Sequence, residues 1–200
     1  MPGSTQYVFS DILERGFRTG NYPNRTQQSR DWFRTQARKA YGASEPGVFA
    51  ERANSLHTSV VPGQLYMFVY DAKTKDTLPY WDRFPVIFPF DYTNNGFYGI
   101  NLHYLPPKLR AVLMDSLYNI ASDKRFDDKT KIKLSYQVIK SAANVNMFKP
   151  CIKRYLTSHV KSKFIFISPI HWDTAIFLPL EDFSGASKQK VWADSRKMSS

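Results

Sequence analysis

Hydrophobic and polar positions follow two different periods along this chain, and the change of period divides it. Gln64–Tyr70 (QLYMFVY) is a run of aromatic and branched residues that predicts a strand. Phe84–Phe90 (FPVIFPF) and Phe97–Tyr104 (FYGINLHY) predict two more. Pro85 and Pro89 confine the second of these to an edge or an irregular position, because proline donates no ladder hydrogen bond. Asn94-Asn95-Gly96 reads as a turn, with Asn95-Gly96 the hairpin dipeptide. Asp71–Asp82, with Pro79 inside it, reads as a long loop. Lys163–Ser168 (KFIFIS) predicts a later strand able to complete the sheet.

Beyond Tyr104 the period lengthens. Pro106 and Pro107 suit a helix start, where a missing N–H costs nothing. Leu109, Val112, Leu113, Leu117 and Ile120 then form an apolar stripe. Asp127 or Asp128 caps a second segment, Lys129–Asn144. Its Ile132, Leu134, Tyr136 and Val138 also alternate as a strand would, but Ile139, Ala142 and Ala143 continue the run and favour helix. Pro150 is read as opening a third helix to about Val160, and Ser168-Pro169 a short one through Phe177. Residues 1–28 are polar, with Gly3, Gly16, Gly20 and Pro23, and read as a loosely ordered lead-in. Ser29 caps a helix over Arg30–Tyr41; Gly42–Pro62 reads as a linker, and everything from Ser184 as a polar, basic tail. The expected organisation is a basic arm with one helix over 1–60 and a single α+β domain over 61–200. Its sheet, over about 64–104 plus 163–168, is expected to be a small antiparallel one or an SH3-like barrel, with several helices packed against it.

Composition supports a packed core. The chain is 42% hydrophobic and carries 15 Phe, 12 Tyr and 4 Trp, so the core should be rich in rings. Cys151 is the only cysteine, which excludes an internal disulfide and a cysteine-rich metal site and suits a reducing cytosol. The first thirty residues hold no long apolar run, so no signal peptide is expected. Nothing approaches the roughly 18 apolar residues of a membrane span.

Charge changes the picture more. Twenty-eight Lys and Arg stand against 17 Asp and Glu, a net charge of +11. Folding does not need that excess, and it creates a field that attracts polyanions, nucleic acid foremost. Arg30, Arg34 and Arg38 form an i, i+4, i+8 row without interleaved acids. Lys149, Lys153, Arg154, Lys161 and Lys163 crowd one acid-free stretch, with Tyr155 and His159 among them. Lys188, Lys190, Arg196 and Lys197 make the tail basic against a lone Asp194. Phosphates are the natural counter-charges for all three groups. The loop Leu78–Pro85 is unusually aromatic. Either its own rings pin it over the sheet, or Tyr80 and Trp81 form a tip that stacks on a terminal base pair.

Catalytic chemistry finds little purchase. His57, His103, His159 and His171 form no metal-binding pair, and no phosphate-binding or nucleophile motif occurs. Asp71, Asp76, Asp82 and Asp91 flank the strands, yet no E-x-K follows them as a restriction-type nuclease core requires; they read as solvated loop acids. Catalytic residues, metal and cofactor are all expected to be absent.

Four ordered blocks carry a resemblance: GQLYMFVYDAKTKDTLPYWDRFP (63–85), GFYGINLHYLPPKLRAVLMDSL (96–117), FKPCIKRYLTSHVKSKFI (148–165) and KVWADSRK (190–197). Together they resemble the DNA end-protector family of T-even-type contractile-tailed bacteriophages. The likeness spans roughly 63–197, with no contribution from residues 1–60. It implies a protein that binds the end of packaged double-stranded DNA and shields it from host exonuclease. It also implies a place in the virion, and in the host cytoplasm during assembly, beside portal, neck or head-completion proteins; self-association is left open. Two other classes are weighed against it. One is a structural virion protein of neck, tail or baseplate, the other a DNA-processing nuclease.

Overall fold

The computed structural model describes residues 7–19, 56–172 and 181–199. The Arg30–Tyr41 helix, and with it Arg30, Arg34 and Arg38, lies outside the described residues, as does the segment following Trp172.

The described elements begin with helix α1 (Val8–Arg18). The expected loose lead-in is thus corrected over these residues. Phe9, Ile12 and Leu13 recur at helical spacing and are fully or almost fully buried, each contributing about 1.5–3 kcal/mol of burial. Then come strands β1 (Leu56–His57), β2 (Leu65–Met67), β3 (Trp81–Asp82), β4 (Val86–Thr93) and β5 (Gly96–Asn101). A 3₁₀ turn, Leu102–Tyr104, leads to α2 (Pro107–Ala121) and α3 (Asp128–Ala143). A second 3₁₀ segment, Asn146–Cys151, precedes β6 (Ile152–Leu156); β7 (Phe164–Ile167), β8 (Phe183–Ser184) and α4 (Lys188–Ser199) complete the order.

The architecture is α+β. Six strands form one antiparallel sheet in the order β1-β7-β2-β4-β5-β6, and β3 pairs with β8 in a small second sheet. Among the described residues the large sheet is open, with β1 and β6 as its two edges, so the SH3-like barrel does not form. Alternation along the strands sends side chains into two clusters. Leu65, Val86, Phe88 and Ile100 face the layer built from α1, α2 and α3. Tyr66, Phe68, Phe97, Tyr155 and Phe164 pack with Ile87 on the opposite face, their rings forming a knot in which the Phe68 centroid lies 5.1 Å from that of Phe164 and 5.3 Å from that of Tyr155.

Two local outcomes differ from the sequence expectation, and a third takes one of its two alternatives. The Pro150–Val160 segment is not a helix; it contains strand β6, paired along β5 from Gly96↔Leu156 to Ile100↔Ile152. Of the two positions open to a proline-bearing strand, edge or irregular, β4 takes the irregular one: it is central and accommodates Pro89 through a register shift between Pro89 and Asp91. The hairpin loop is Asn94-Asn95, joining Thr93 to its partner Gly96, and neither asparagine has positive φ. Gly96 is required for another reason: a Cβ there would lie 1.9 Å from the Tyr155 carbonyl oxygen.

The helices also bury more than one stripe. On α2, Arg110, Ala111, Met114 and Asp115 are buried with Leu113 and Leu117, whereas Val112 is exposed. Contacts with α1 on one side and α3 on the other explain the wide face. Helix α3 starts as expected, the Asp127 carboxylate accepting from the Thr130 N–H at 2.7 Å. The expected tail is helix α4, docked on the Asn146–Cys151 segment through buried Val191.

Candidate nucleic-acid interface

The acid-free stretch is longer than the one between Lys149 and Lys163. From Lys129 to Trp172 the chain has no Asp or Glu, and its cations are Lys129, Lys131, Lys133, Lys140, Lys149, Lys153, Arg154, Lys161 and Lys163. The fold spreads them over α3, the Asn146–Cys151 segment, β6 and the connection into β7.

Strand alternation sorts the expected cations. Lys153 shares its face of β6 with buried Tyr155 and is turned inward, its ammonium 4.0 Å from the centre of the Tyr104 ring. Burial depresses its pKa. It therefore does not stand among the exposed cations as its sequence neighbourhood suggests. Arg154 faces the other way, is exposed, and donates from Nη2 to the Asn95 side-chain oxygen at 2.8 Å. Lys149, Lys161 and Lys163 are exposed. Lys161 lies beside Asp71, whose pKa is lowered first by the Lys75 hydrogen bond and then by the nearby charges. On α4, Lys190 pairs with Asp194 at 3.2 Å and Lys188 lies over the Trp192 ring at 5.6 Å. Arg196, exposed on the same helix, lines a groove of about 310 Å³ with Tyr104, Leu109 and Met147. Lys149 and α4 belong to docked elements, while Arg154 sits on the hairpin side of the sheet.

Tyr80 and Trp81 do not form a free tip. Trp81 is half-buried in β3 against the ring knot, and Tyr80 packs on Tyr104 and Phe183 at 6.2 and 6.3 Å. Burial, followed by the neighbouring Asp194, raises the Tyr80 pKa. Gly185, at φ +88°, lets the turn after β8 close over the loop; a Cβ there would meet the Pro79 carbonyl oxygen at 2.7 Å.

A buried polar network anchors this region. Asp82 Oδ2 accepts from Asn101 Nδ2 and lies 2.8 Å from His103 Nδ1, and Asp82 Oδ1 accepts from the Phe84 N–H at 3.0 Å. Asn101 Nδ2 also donates to the Tyr155 hydroxyl at 3.0 Å, and Trp192 Nε1 to the His103 carbonyl at 2.8 Å. Asp82 is thus not a solvated loop acid; it ties β3, β5 and the Leu102–Tyr104 turn together. Arg110 and Glu181 form a buried ion pair at 2.7 Å. Burial alone would raise the Glu181 pKa, but the Arg110 charge leads the opposing effects and holds it at about 2. Cys151 is buried, and burial pushes its thiol up to about 12, the opposite of a reactive cysteine. Of the other strand-flanking acids, Asp71 pairs with Lys75 and Asp91 with Lys140. Among the described residues no three His, Cys, Asp or Glu side chains gather as a metal site, and no helix is long and apolar enough to cross a membrane.

Sequence reasoning missed the α3 lysines and one ring. Lys129, Lys133 and Lys140 stand at i, i+4 and i+11, within one face of a 3.6-residue helix; the absence of acids from Lys129 onward was the available signal. Tyr98 on β5 is the partner of Arg154 in the sheet and is 36% exposed.

A family model described as phage T4 terminal DNA protecting protein matches residues 19–197. The matched region begins well before residue 61, so the segment from 19 to 60 contributes to the likeness after all. No curated protein and no solved structure matches the chain.

Proposed function

The chain belongs to the phage T4 terminal DNA protecting protein family, and from that premise we propose that it binds the end of packaged double-stranded phage DNA during head completion, without regard to sequence and without catalysis. The observation that carries this reading is the acid-free run from Lys129 to Trp172, folded so that Lys129, Lys133, Arg154, Lys161 and Lys163 are exposed. Such a surface neutralises phosphates anywhere on a duplex, because backbone contacts carry no sequence information. Non-enzymatic action is supported by the way the acids are used. Asp71, Asp82 and Asp91 each hold a neighbouring side chain, and Cys151 is an inert thiol. The protein would work in the virion, and in the host cytoplasm during assembly, beside portal, neck or head-completion proteins.

The test is exonuclease digestion of blunt linear duplex with increasing amounts of the protein, in the presence of Mg²⁺. The expected result is protection of both ends, no cleavage by the protein itself, and no change to nicked circular DNA. Digestion at an unaltered rate, or cleavage abolished by Asp71→Ala or Asp91→Ala, would contradict the proposal.

A further inference from the structure

Recognition of an end, as distinct from a duplex, requires a group that meets the exposed terminal base pair. Tyr80 and Trp81 are packed into the protein, so that group lies elsewhere. The register places Asp91, Tyr98 and Arg154 in one row across β4, β5 and β6. Residues paired in this way share a face of the sheet. On that face Phe90 stacks on Tyr98, with centroids 6.4 Å apart and planes 25° from parallel. Phe90 is buried and backs the ring; Tyr98 is 36% exposed. Arg154 flanks it, its guanidinium held by Asn95 at 2.8 Å. Asp91, the acid of the row, is engaged by Lys140. Lys140 also lies over the Phe90 ring at 5.5 Å, and from it the stripe runs back along α3 to Lys133 and Lys129. Eleven residues of helix make that stripe about 16 Å long, the rise of about five base pairs.

We infer that Tyr98, backed by Phe90 and flanked by Arg154, is the platform on which the terminal base pair of a duplex stacks, while the α3 stripe follows the adjoining phosphates. This inference rests on the reading of the protein as a DNA-end binder and supplies that reading with its missing element. A supported aromatic plane beside a planar cation is what sequence-tolerant stacking needs, since every base has a π-face. The positive surroundings suit a phosphate-bearing ligand.

The experiment compares wild type with Tyr98→Leu, Tyr98→Phe and the double variant Lys129→Ala/Lys133→Ala. Leucine keeps an apolar side chain against Phe90 but removes the plane; thermal melts confirm that each variant is folded. Blunt-end protection and binding to closed circular duplex are measured together, with 2-aminopurine in the terminal base pair reporting stacking. Tyr98→Leu is expected to need about tenfold more protein for end protection, to lose the 2-aminopurine quenching, and to bind circles as wild type does. Tyr98→Phe should retain all three properties. The lysine double variant should weaken linear and circular binding alike. Full protection and quenching by Tyr98→Leu would overturn the platform while leaving the end-binding function intact. Equal loss in Tyr98→Phe and Tyr98→Leu would also overturn it, because the hydroxyl and not the plane would then matter. A wild-type protein that protects no ends removes the function and the platform together.

Discussion

Glu181 and Arg110 concentrate opposite charges in the interior at 2.7 Å, and the arrangement has a pH signature with a definite sign. The folded carboxyl titrates at about 2, below its ordinary 4.5. Its contribution to stability is therefore complete above about 4.5 and is lost as pH falls towards 2. Asp115 works in the other direction. Burial raises its pKa, so its cost to the folded state is relieved on protonation. The acid limb of the stability curve is the net of the two. Glu181→Gln should lower stability at neutral pH by about 3–5 kcal/mol, the usual cost of leaving one member of a buried pair without its counter-charge. The variant should also show a flatter acid limb in urea melts taken between pH 5 and 2. An acid limb with the wild-type slope would show that other carboxylates govern acid unfolding.

Asp115 also explains how α1 is attached. Its carboxylate accepts from the Phe9 N–H at 2.7 Å, from the Ser10 N–H at 3.1 Å and from the Ser10 hydroxyl at 2.6 Å, capping α1 from α2. Asp115→Ala should cost about 1–3 kcal/mol and accelerate amide exchange specifically over Phe9–Leu13; unchanged exchange there would mean that apolar packing alone holds the helix. Elements were legible in the sequence in proportion to their length and regularity. Helices α2 and α3 show sustained periodicity with a proline or aspartate start, and β7 is a compact apolar run. The four-residue run Ile152-Lys153-Arg154-Tyr155 carries no period long enough to separate strand from helix; it becomes β6 because β5 offers it an edge. That single misreading hid which cations point outward, since only alternation sends Lys153 to Tyr104 and Arg154 to solvent. Helices α1 and α4 were hidden by polar composition, although Phe9, Ile12 and Leu13 have helical spacing. The Asp82–His103 pair, 21 residues apart in sequence, could be found only from the fold.

At the scale of the whole molecule, the excess of positive charge was legible from composition, and so were the mixed α+β class and the ring-rich core. Sheet closure was not, because it depends on whether β1 and β6, separated by most of the described chain, meet. They remain edges. If four or five exposed cations each displace a counterion, duplex affinity should fall with salt at a log–log slope of about −4. A slope near zero between about 50 and 200 mM salt would leave the basic surface without a role in binding DNA. Salt dependence alone does not distinguish ends from duplex. The most direct measurement is the stoichiometry of the protein on blunt linear duplexes of increasing length, by sedimentation or single-particle mass, at a salt concentration that suppresses backbone-only binding. A constant number of molecules per DNA, set by its two ends, is expected, and none on a closed circle of the same sequence. A number that grows with DNA length, with equal loading of the circle, would contradict it.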